Sequence, residues 1–298
     1  MIIFDYSQIA YAVVYALKPE ILAADREGIL HIIRCGVLSS IRSKKMKFRA
    51  KSSDIVIACD GNSYWRYGIF PEYKASRKKN REEDDMPWDV IKPCMEQLIG
   101  EFRGVLPYKI IQHDRAEADD VIAILVEDVV NQAPIKVGLD EEFEPVIMIN
   151  KDKDCKQLLK YQHVQQFSPY TNEFLKLECS SKEFLRRLIL TGDSGDGIPN
   201  IFSPSNSFVD GIRQKPATEK KMQPFLEATN MLDVPMDEQT KERLILNTRL
   251  ISFNAIPKSI RQEVVSMYHD CEVGTKMSLY AYMNKKRCDA LLERIDEF

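Results

Sequence analysis

Residues 146–154 read VIMINKDKD: four apolar residues, a polar break, then Asp152 and Asp154. The same order recurs in residues 2–5, IIFD, which end at Asp5, and in residues 55–60, IVIACD, which end at Asp60. Short apolar runs of this kind predict buried strands. Stretches with helical spacing lie between them, so the sheet is expected to be mostly parallel and flanked by helices. Ligands of such sheets bind beyond the carboxyl ends of the strands, where Asp5, Asp60, Asp152 and Asp154 fall. Further acids come from AEADD (116–120), with Glu117, Asp119 and Asp120, and from LTGDSGDGIPN (190–200), with Asp193 and Asp196. Two unit charges about 4 Å apart repel by roughly 4 kcal/mol at an effective dielectric of about 20, so the acids require a cation. An all-oxygen set suits magnesium or manganese. Taken singly, each acid has a plainer reading as a cap or turn residue, and Asp120 fits a helix-dipole position.

Outward from these segments, SQIAYAVVYAL (7–17) has helical spacing with Ser7 as its expected N-cap. Residues 29–48 read as a second amphipathic helix with a basic end, and residues 62–86 have no steady period. Helices are expected at 89–102, 116–130 and 154–159, and strands at 108–111 and 164–167. In the 116–130 helix Val121, Ile124, Leu125 and Val129 share one face. Strand signals stop after residue 180, and helices follow at 182–190, 218–230, 237–250 and 276–296. This divides the chain into an α/β core (1–180), an insertion at 62–88 and a helical region (181–298).

The length of 298 residues suits one large α/β domain or two smaller ones. No run of about 18 apolar residues marks a membrane span, and MIIFDYSQ lacks the form of a signal peptide. The seven cysteines are scattered without a CxxC pair, which indicates neither a zinc site nor a disulfide framework and suits a reducing, cytoplasmic setting. The four histidines show no ligand spacing and read as structural. The net charge of −3 argues against a polyanion partner, but its distribution does not. RSKKMKFRAK (42–51) and RYGIFPEYKASRKKNR (66–81) are basic. In the second, Tyr67, Phe70 and Tyr73 are interleaved in a way that suits stacking on unpaired bases. A solvated loop is the plainer reading of that stretch.

The segments FDYSQIA, ACDGNSYWR, YKASRKKNRE, EADDVIAIL, NKDKDCKQL, FSP and LTGDSGDGIPN occur in that order over residues 4–200. In this the chain resembles the flap endonuclease and 5′-nuclease superfamily, closest to the phage ribonuclease H-type 5′-to-3′ exonucleases that remove RNA primers. The resemblance implies two magnesium ions, with manganese able to substitute. Asp5, Asp60, Glu117, Asp119 and Asp152 match the acids around the first ion, and Asp154, Asp193 and Asp196 those around the second. Arg66, Tyr73 and Lys74 match residues at the base of an arch that approach the scissile phosphate, and Arg77, Lys78, Lys79 and Arg81 continue that arch. Residues 184–228 resemble a helix–three-turn–helix element that holds duplex DNA by its backbone, through Gly195, Gly197, Lys215, Lys220 and Lys221. Its usual glycine-lysine hairpin is replaced here by SPSNSFVDGIRQKPATEKKM (203–222). The implied substrates are branched or nicked DNA and RNA–DNA hybrids. A monomer acting in the host cytoplasm is expected, with the C-terminal helices open to a single-strand-binding protein.

Three other readings compete. A haloacid dehalogenase-type phosphatase shares the Asp152-Lys153-Asp154 pattern, but needs it after the first strand, where Asp5-Tyr6-Ser7 stands. A compact PIN-type ribonuclease leaves the region after residue 180 unexplained. A non-catalytic binder of branched DNA has no use for acids beside a phosphate.

Overall fold

The computed structural model describes residues 1–75, 84–132 and 144–298, with the backbone alone for 135–137 and 140–142. Strand β1 (Ile2–Asp5) is the centre of a six-stranded sheet. It pairs in parallel with β2 (Ile55–Cys59) on one side and β6 (Val146–Ile149) on the other. Strand β3 (Lys109–Gln112) extends the sheet beyond β2, and β7 (Val164–Phe167) beyond β6, both parallel. The antiparallel β8 (Phe174–Leu175) closes that edge, and β4 (Ile135–Val137) with β5 (Asp140–Glu142) forms a separate hairpin. Ile3 and Phe4 are fully buried because helices cover both faces, which is why β1 reads as a continuous apolar run.

One face carries α1 (Tyr6–Ala16), the short α2 (Lys18–Ala23), α3 (Arg26–Phe48) and α4 (Trp88–Phe102). Asp5, not Ser7, caps α1, accepting from the Gln8 N–H at 3.0 Å. Ser7 instead donates to Asp60 Oδ2 at 2.6 Å, because a residue already inside the first turn points its hydroxyl toward β2. The other face carries α5 (Ala118–Val130), in which residues 120–126 are buried without a break. Flanking segments explain this: α9 (Lys258–Asp270), which the sequence did not signal, packs Ile260 and Val264 beside α5 and β3, and Cys155, Leu158, Phe253 and Ile256 join the same cluster. The expected helix at 154–159 is a 3₁₀ segment, Asp154–Lys160.

The helices α6 (Ser181–Thr191), α7 (Glu219–Glu227) and α8 (Glu238–Ile251) form their own cluster through Leu188, Ile189, Phe225, Leu244 and Ile251. The expected helix 276–296 is broken into α10 (Lys276–Lys285) and α11 (Asp289–Leu292). Arg287 adopts φ +55 between them, a left-handed turn that ends a helix. Leu279, Met283 and Leu291 of these helices pack into the core beside α3 and α4.

A charged network secures that packing. Arg34 of α3 donates to Glu101 of α4 at 3.1 Å and to the Tyr282 hydroxyl of α10 at 2.9 Å, and Tyr282 donates to Glu101 at 2.6 Å. Lys286 and Gln97 also donate to Glu101. Burial raises the Glu101 carboxyl, but these donors and the Arg34 charge outweigh it and hold the group down at about 2. A depressed carboxyl contributes stability above its usual range near 4.5, and that contribution fades as pH falls toward 2. The displacement corresponds to roughly 3 kcal/mol, which screening on the solvent side reduces to about 1–2 kcal/mol. Glu101→Gln is therefore expected to lower the urea midpoint clearly at pH 7, with the gap from the parent chain narrowing as pH is taken below 4. A constant gap would contradict this role.

Candidate metal centre

The register of the sheet determines the site. Because β1, β2 and β6 run parallel and in step, their carboxyl ends deliver Asp5, Asp60 and the 150–154 turn to one edge. Asp5 is buried, and burial together with the charges of Asp60 and Asp152 holds its carboxyl well above the usual range despite the Gln8 hydrogen bond. Asp60 accepts from Ser7 Oγ through one oxygen and from the Ala118 N–H at 3.0 Å through the other, which ties β2 to the start of α5. Asp152 turns back to accept from the Asp154 N–H at 2.8 Å. Beneath this turn Gln166 donates to the Asn150 side chain and to the Asp152 carbonyl, so β7 sets the turn's orientation. These roles of Ser7, Asn150 and Gln166 were not legible in the sequence, since amide and hydroxyl side chains carry no spacing signature.

A second group lies beside the first. Oxygens of Asp154, Asp193 and Asp196 fall within 4.8 Å of one another. Burial, then the charges of Asp152, Asp196 and Asp193, raises the Asp154 carboxyl well above its usual range, and its buried Oδ1 accepts no hydrogen bond among the described residues. Asp193 accepts from the Gly195 N–H at 2.9 Å and faces Lys153 Nζ at 3.0 Å. The turn that presents Asp193 and Asp196 depends on its glycines. Gly192 has φ +69, and a Cβ there would meet the Ile198 carbonyl oxygen at 2.3 Å. Gly197 has φ +72 where the turn abuts the carbonyl of Glu72. That abutment brings Lys74 to the acids: its N–H donates to the Asp196 carbonyl at 2.8 Å, which holds Lys74 itself at φ +59. Left-handed backbone in a non-glycine residue stores strain of about 1 kcal/mol or more, and such strain gathers at functional sites.

At the start of α5, oxygens of Glu117, Asp119 and Asp120 share a second 4.8 Å cluster. Asp120 does not face the site. Its oxygens accept from Arg66 at 2.7 and 2.8 Å, from Trp65 Nε1 at 2.9 Å and from the Glu117 N–H at 3.2 Å, the last completing a capping box. Asp119, raised by burial and by the Glu117 and Asp120 charges, and Glu117, raised by burial against the opposing Lys74 and Arg66 charges, remain for the site. Lys74 Nζ is ion-paired with Glu117 and lies 3.8 Å from Asp196.

The arch-base residues depart from the expectation of phosphate contact. Arg66 is 2% exposed. Its guanidinium donates to Glu117, to both Asp120 oxygens and to the Leu250 carbonyl. Four of the five N–H donors of a guanidinium are thereby engaged, so Arg66 positions α5 against α8 and is not presented to a phosphate. Tyr73 is buried as well, its hydroxyl 2.8 Å from both Glu117 and Asp196. Phe70 packs with Tyr73 among Leu188, Ile198 and Leu250, so neither ring is open to a base; of the interleaved aromatics, Tyr67 is exposed. The reason is that the 65–75 segment is the seam between the α/β core and the α6–α8 cluster. Arg77, Lys78, Lys79 and Arg81 lie outside the described residues. Lys215, Lys220 and Lys221 are exposed, with Lys215 anchored through its backbone to Ser203 and Asn200, next to the Gly195–Gly197 turn.

These groups fit divalent cations. Several carboxyls are held above their usual range by burial and then by one another, the ligand atoms on offer are oxygens, and Asp154 Oδ1 has no hydrogen-bond partner among the described residues. A cavity of about 150 Å³ opens beside Asp60, lined by Ser7, Asn62, Tyr64, Lys92 and Gln112 among others.

The family model of the 5′-3′ exonuclease N-terminal resolvase-like domain matches residues 1–187, and that of the T4 RNase H C-terminal domain matches residues 180–298. The chain is 28% identical to ribonuclease H of Enterobacteria phage T4, over 99% of this chain and 95% of that one. It is 29% identical to flap endonuclease Xni of Shewanella piezotolerans, over 53% of this chain and 57% of that one. Among solved structures, the zinc-bound 5′-exonuclease of T5 aligns with a TM-score of 0.60 at 15% identity, over 91% of this chain and 99% of that one. A bacteriophage T5 flap endonuclease in a pseudo-enzyme-product complex with DNA and metal ions aligns with a TM-score of 0.58 at 14% identity, over 90% of this chain and 99% of that one.

Proposed function

The chain belongs to the 5′-3′ exonuclease family, and on that premise we propose that it is a magnesium-dependent 5′-to-3′ exonuclease and flap endonuclease that removes RNA primers and 5′ flaps during lagging-strand replication. Its substrates are phosphodiesters of branched or nicked DNA and of RNA–DNA hybrids. The observation that carries this reading is the convergence of Asp5, Asp60 and Asp152 from three parallel strand ends on the Asp154–Asp193–Asp196 group. The match of family models over both halves of the chain leaves the phosphatase reading without support.

Asp5, Asp60, Glu117, Asp119 and Asp152 would hold one divalent ion and Asp154, Asp193 and Asp196 a second. Such ions lower the pKa of an attacking water and offset charge on the leaving 3′ oxygen. Asp120 and Arg66 keep α5, and with it Glu117 and Asp119, aimed at the site. Lys74, lying between the two acid groups, supplies an ammonium to the phosphate as its charge grows. Lys215, Lys220 and Lys221, with the Gly195 and Gly197 backbone, hold the duplex by its phosphates, which gives recognition by shape. The α6–α8 region thus serves as the DNA-holding part and lends Asp193 and Asp196 to the catalytic edge of residues 1–180. No described helix is long and apolar enough to cross a membrane, and a monomer in the host cytoplasm is the proposed setting.

Two experiments follow. Cleavage of 5′-flap, nicked and RNA–DNA substrates labelled at each end should yield 5′-phosphate products in magnesium; no cleavage of any of them would overturn the proposal. Lys74→Ala is expected to slow single-turnover cleavage at saturating enzyme by about 10²-fold while the Kd for DNA changes much less. An unchanged rate would remove Lys74 from the chemistry.

A further inference from the structure

A second group of ligating side chains lies outside the nuclease site. His31 and Cys35 are one helical turn apart on the same face of α3. Cys288 approaches them from the C-terminal end of the chain, where the left-handed Arg287 ends α10 and starts the chain toward α11. Cys35 Sγ is 3.5 Å from Cys288 Sγ and 3.6 Å from His31 Nε2. The three ligating atoms lie within 4.8 Å of one another. A tetrahedral zinc ion, with bonds of about 2.3 Å to sulfur and 2.0–2.1 Å to nitrogen, has sulfur–sulfur edges of about 3.8 Å and sulfur–nitrogen edges of about 3.5 Å. Both observed separations are close to those edges. Cys288 is 2% exposed while His31 and Cys35 are half-buried, so the group is sheltered yet reachable by an ion. Two thiolates and an imidazole select zinc over magnesium, the reverse of the carboxylate site.

We propose that His31, Cys35 and Cys288 bind one zinc ion, with water in the fourth position, and that the ion fastens the C-terminal helices to α3. Binding displaces the two thiol protons to solvent and forms two sulfur–metal bonds and one nitrogen–metal bond, with no change of oxidation state. No CxxC or paired-histidine pattern marks this site, because Cys288 is 253 residues from Cys35. The i, i+4 spacing of His31 and Cys35 was its one local signal.

Cobalt(II) tests the proposal, since thiolate ligation gives a near-ultraviolet charge-transfer band that carboxylate ligation does not. The full chain, stripped of metal under reducing conditions, should develop that band with one equivalent of cobalt, lose it on adding one equivalent of zinc, and keep it in excess magnesium. Asp152→Asn should leave the band intact. Cys35→Ser and Cys288→Ser should abolish it, and His31→Gln should weaken cobalt binding by about tenfold or more. Zinc should raise Tm by roughly 5–10 °C in the parent chain and much less in the Cys35→Ser, Cys288→Ser double variant. Circular dichroism reports whether each variant folds; if the cysteine variants do not, unchanged cobalt affinity in His31→Gln overturns the site. A folded parent chain with no thiolate band, or one whose two thiols only close to a disulfide under peroxide, also overturns it.

Discussion

Asp152→Asn is expected to lower single-turnover cleavage of a 5′-flap substrate in magnesium by about 10³-fold while the protein stays folded. The asparagine keeps an oxygen to accept from the Asp154 N–H, so the 150–154 turn retains its shape. What is lost is one negative charge at the point where the two acid groups meet. Asp152 contributes to raising both Asp5 and Asp154, and its own carboxyl is raised by burial and then by the Asp196 and Asp193 charges. Removing it relieves repulsion, so the metal-free variant is expected to melt higher than the metal-free parent and to gain less from magnesium. DNA binding in EDTA should be unaffected. Full-rate cleavage by Asp152→Asn would sink the assignment of this edge as the metal centre.

Arg66→Ala is expected to cost about 3–5 kcal/mol of stability, read as a fall in the urea midpoint at unchanged m-value, because it leaves buried charge unpaired. Asp120 is fully buried and has Arg66 as its cationic partner, through two hydrogen bonds. Glu117 would retain Lys74 and Tyr73 but lose its contact with the guanidinium. Arg66→Lys should recover little, since a single ammonium cannot reproduce the paired contacts with Asp120 together with the bond to the Leu250 carbonyl. Activity of whatever fraction remains folded should fall far less than in Lys74→Ala. A variant as stable as the parent but unable to cleave would restore Arg66 to the phosphate.

The strand ends were legible because a short apolar run followed by an acid is a local pattern, and in a parallel sheet local patterns at strand ends become one edge. The roles of Arg66 and Tyr73 were not, since exposure of a basic-aromatic stretch depends on what packs over it. Here Leu188, Ile189 and Leu250 of the α6–α8 cluster do so. Helix α9 was not legible because it buries little beyond Ile260 and Val264, a stripe too narrow to stand out. The break between α10 and α11 turns on a left-handed arginine, a conformation that glycine or asparagine would have announced. The unbroken burial of α5 comes from α9 together with Cys155, Leu158, Phe253 and Ile256, residues distant in sequence from α5.

The proposed chemistry has these acids act through divalent ions on a phosphodiester. Its most direct measurement is single-turnover cleavage of a 5′-labelled flap in magnesium and in EDTA, with DNA binding followed in parallel. Release of the labelled flap is expected in magnesium and none in EDTA, with binding within a few-fold under both conditions. Cleavage in EDTA at the magnesium rate, or folded and DNA-bound protein that leaves the flap intact in magnesium, would contradict it.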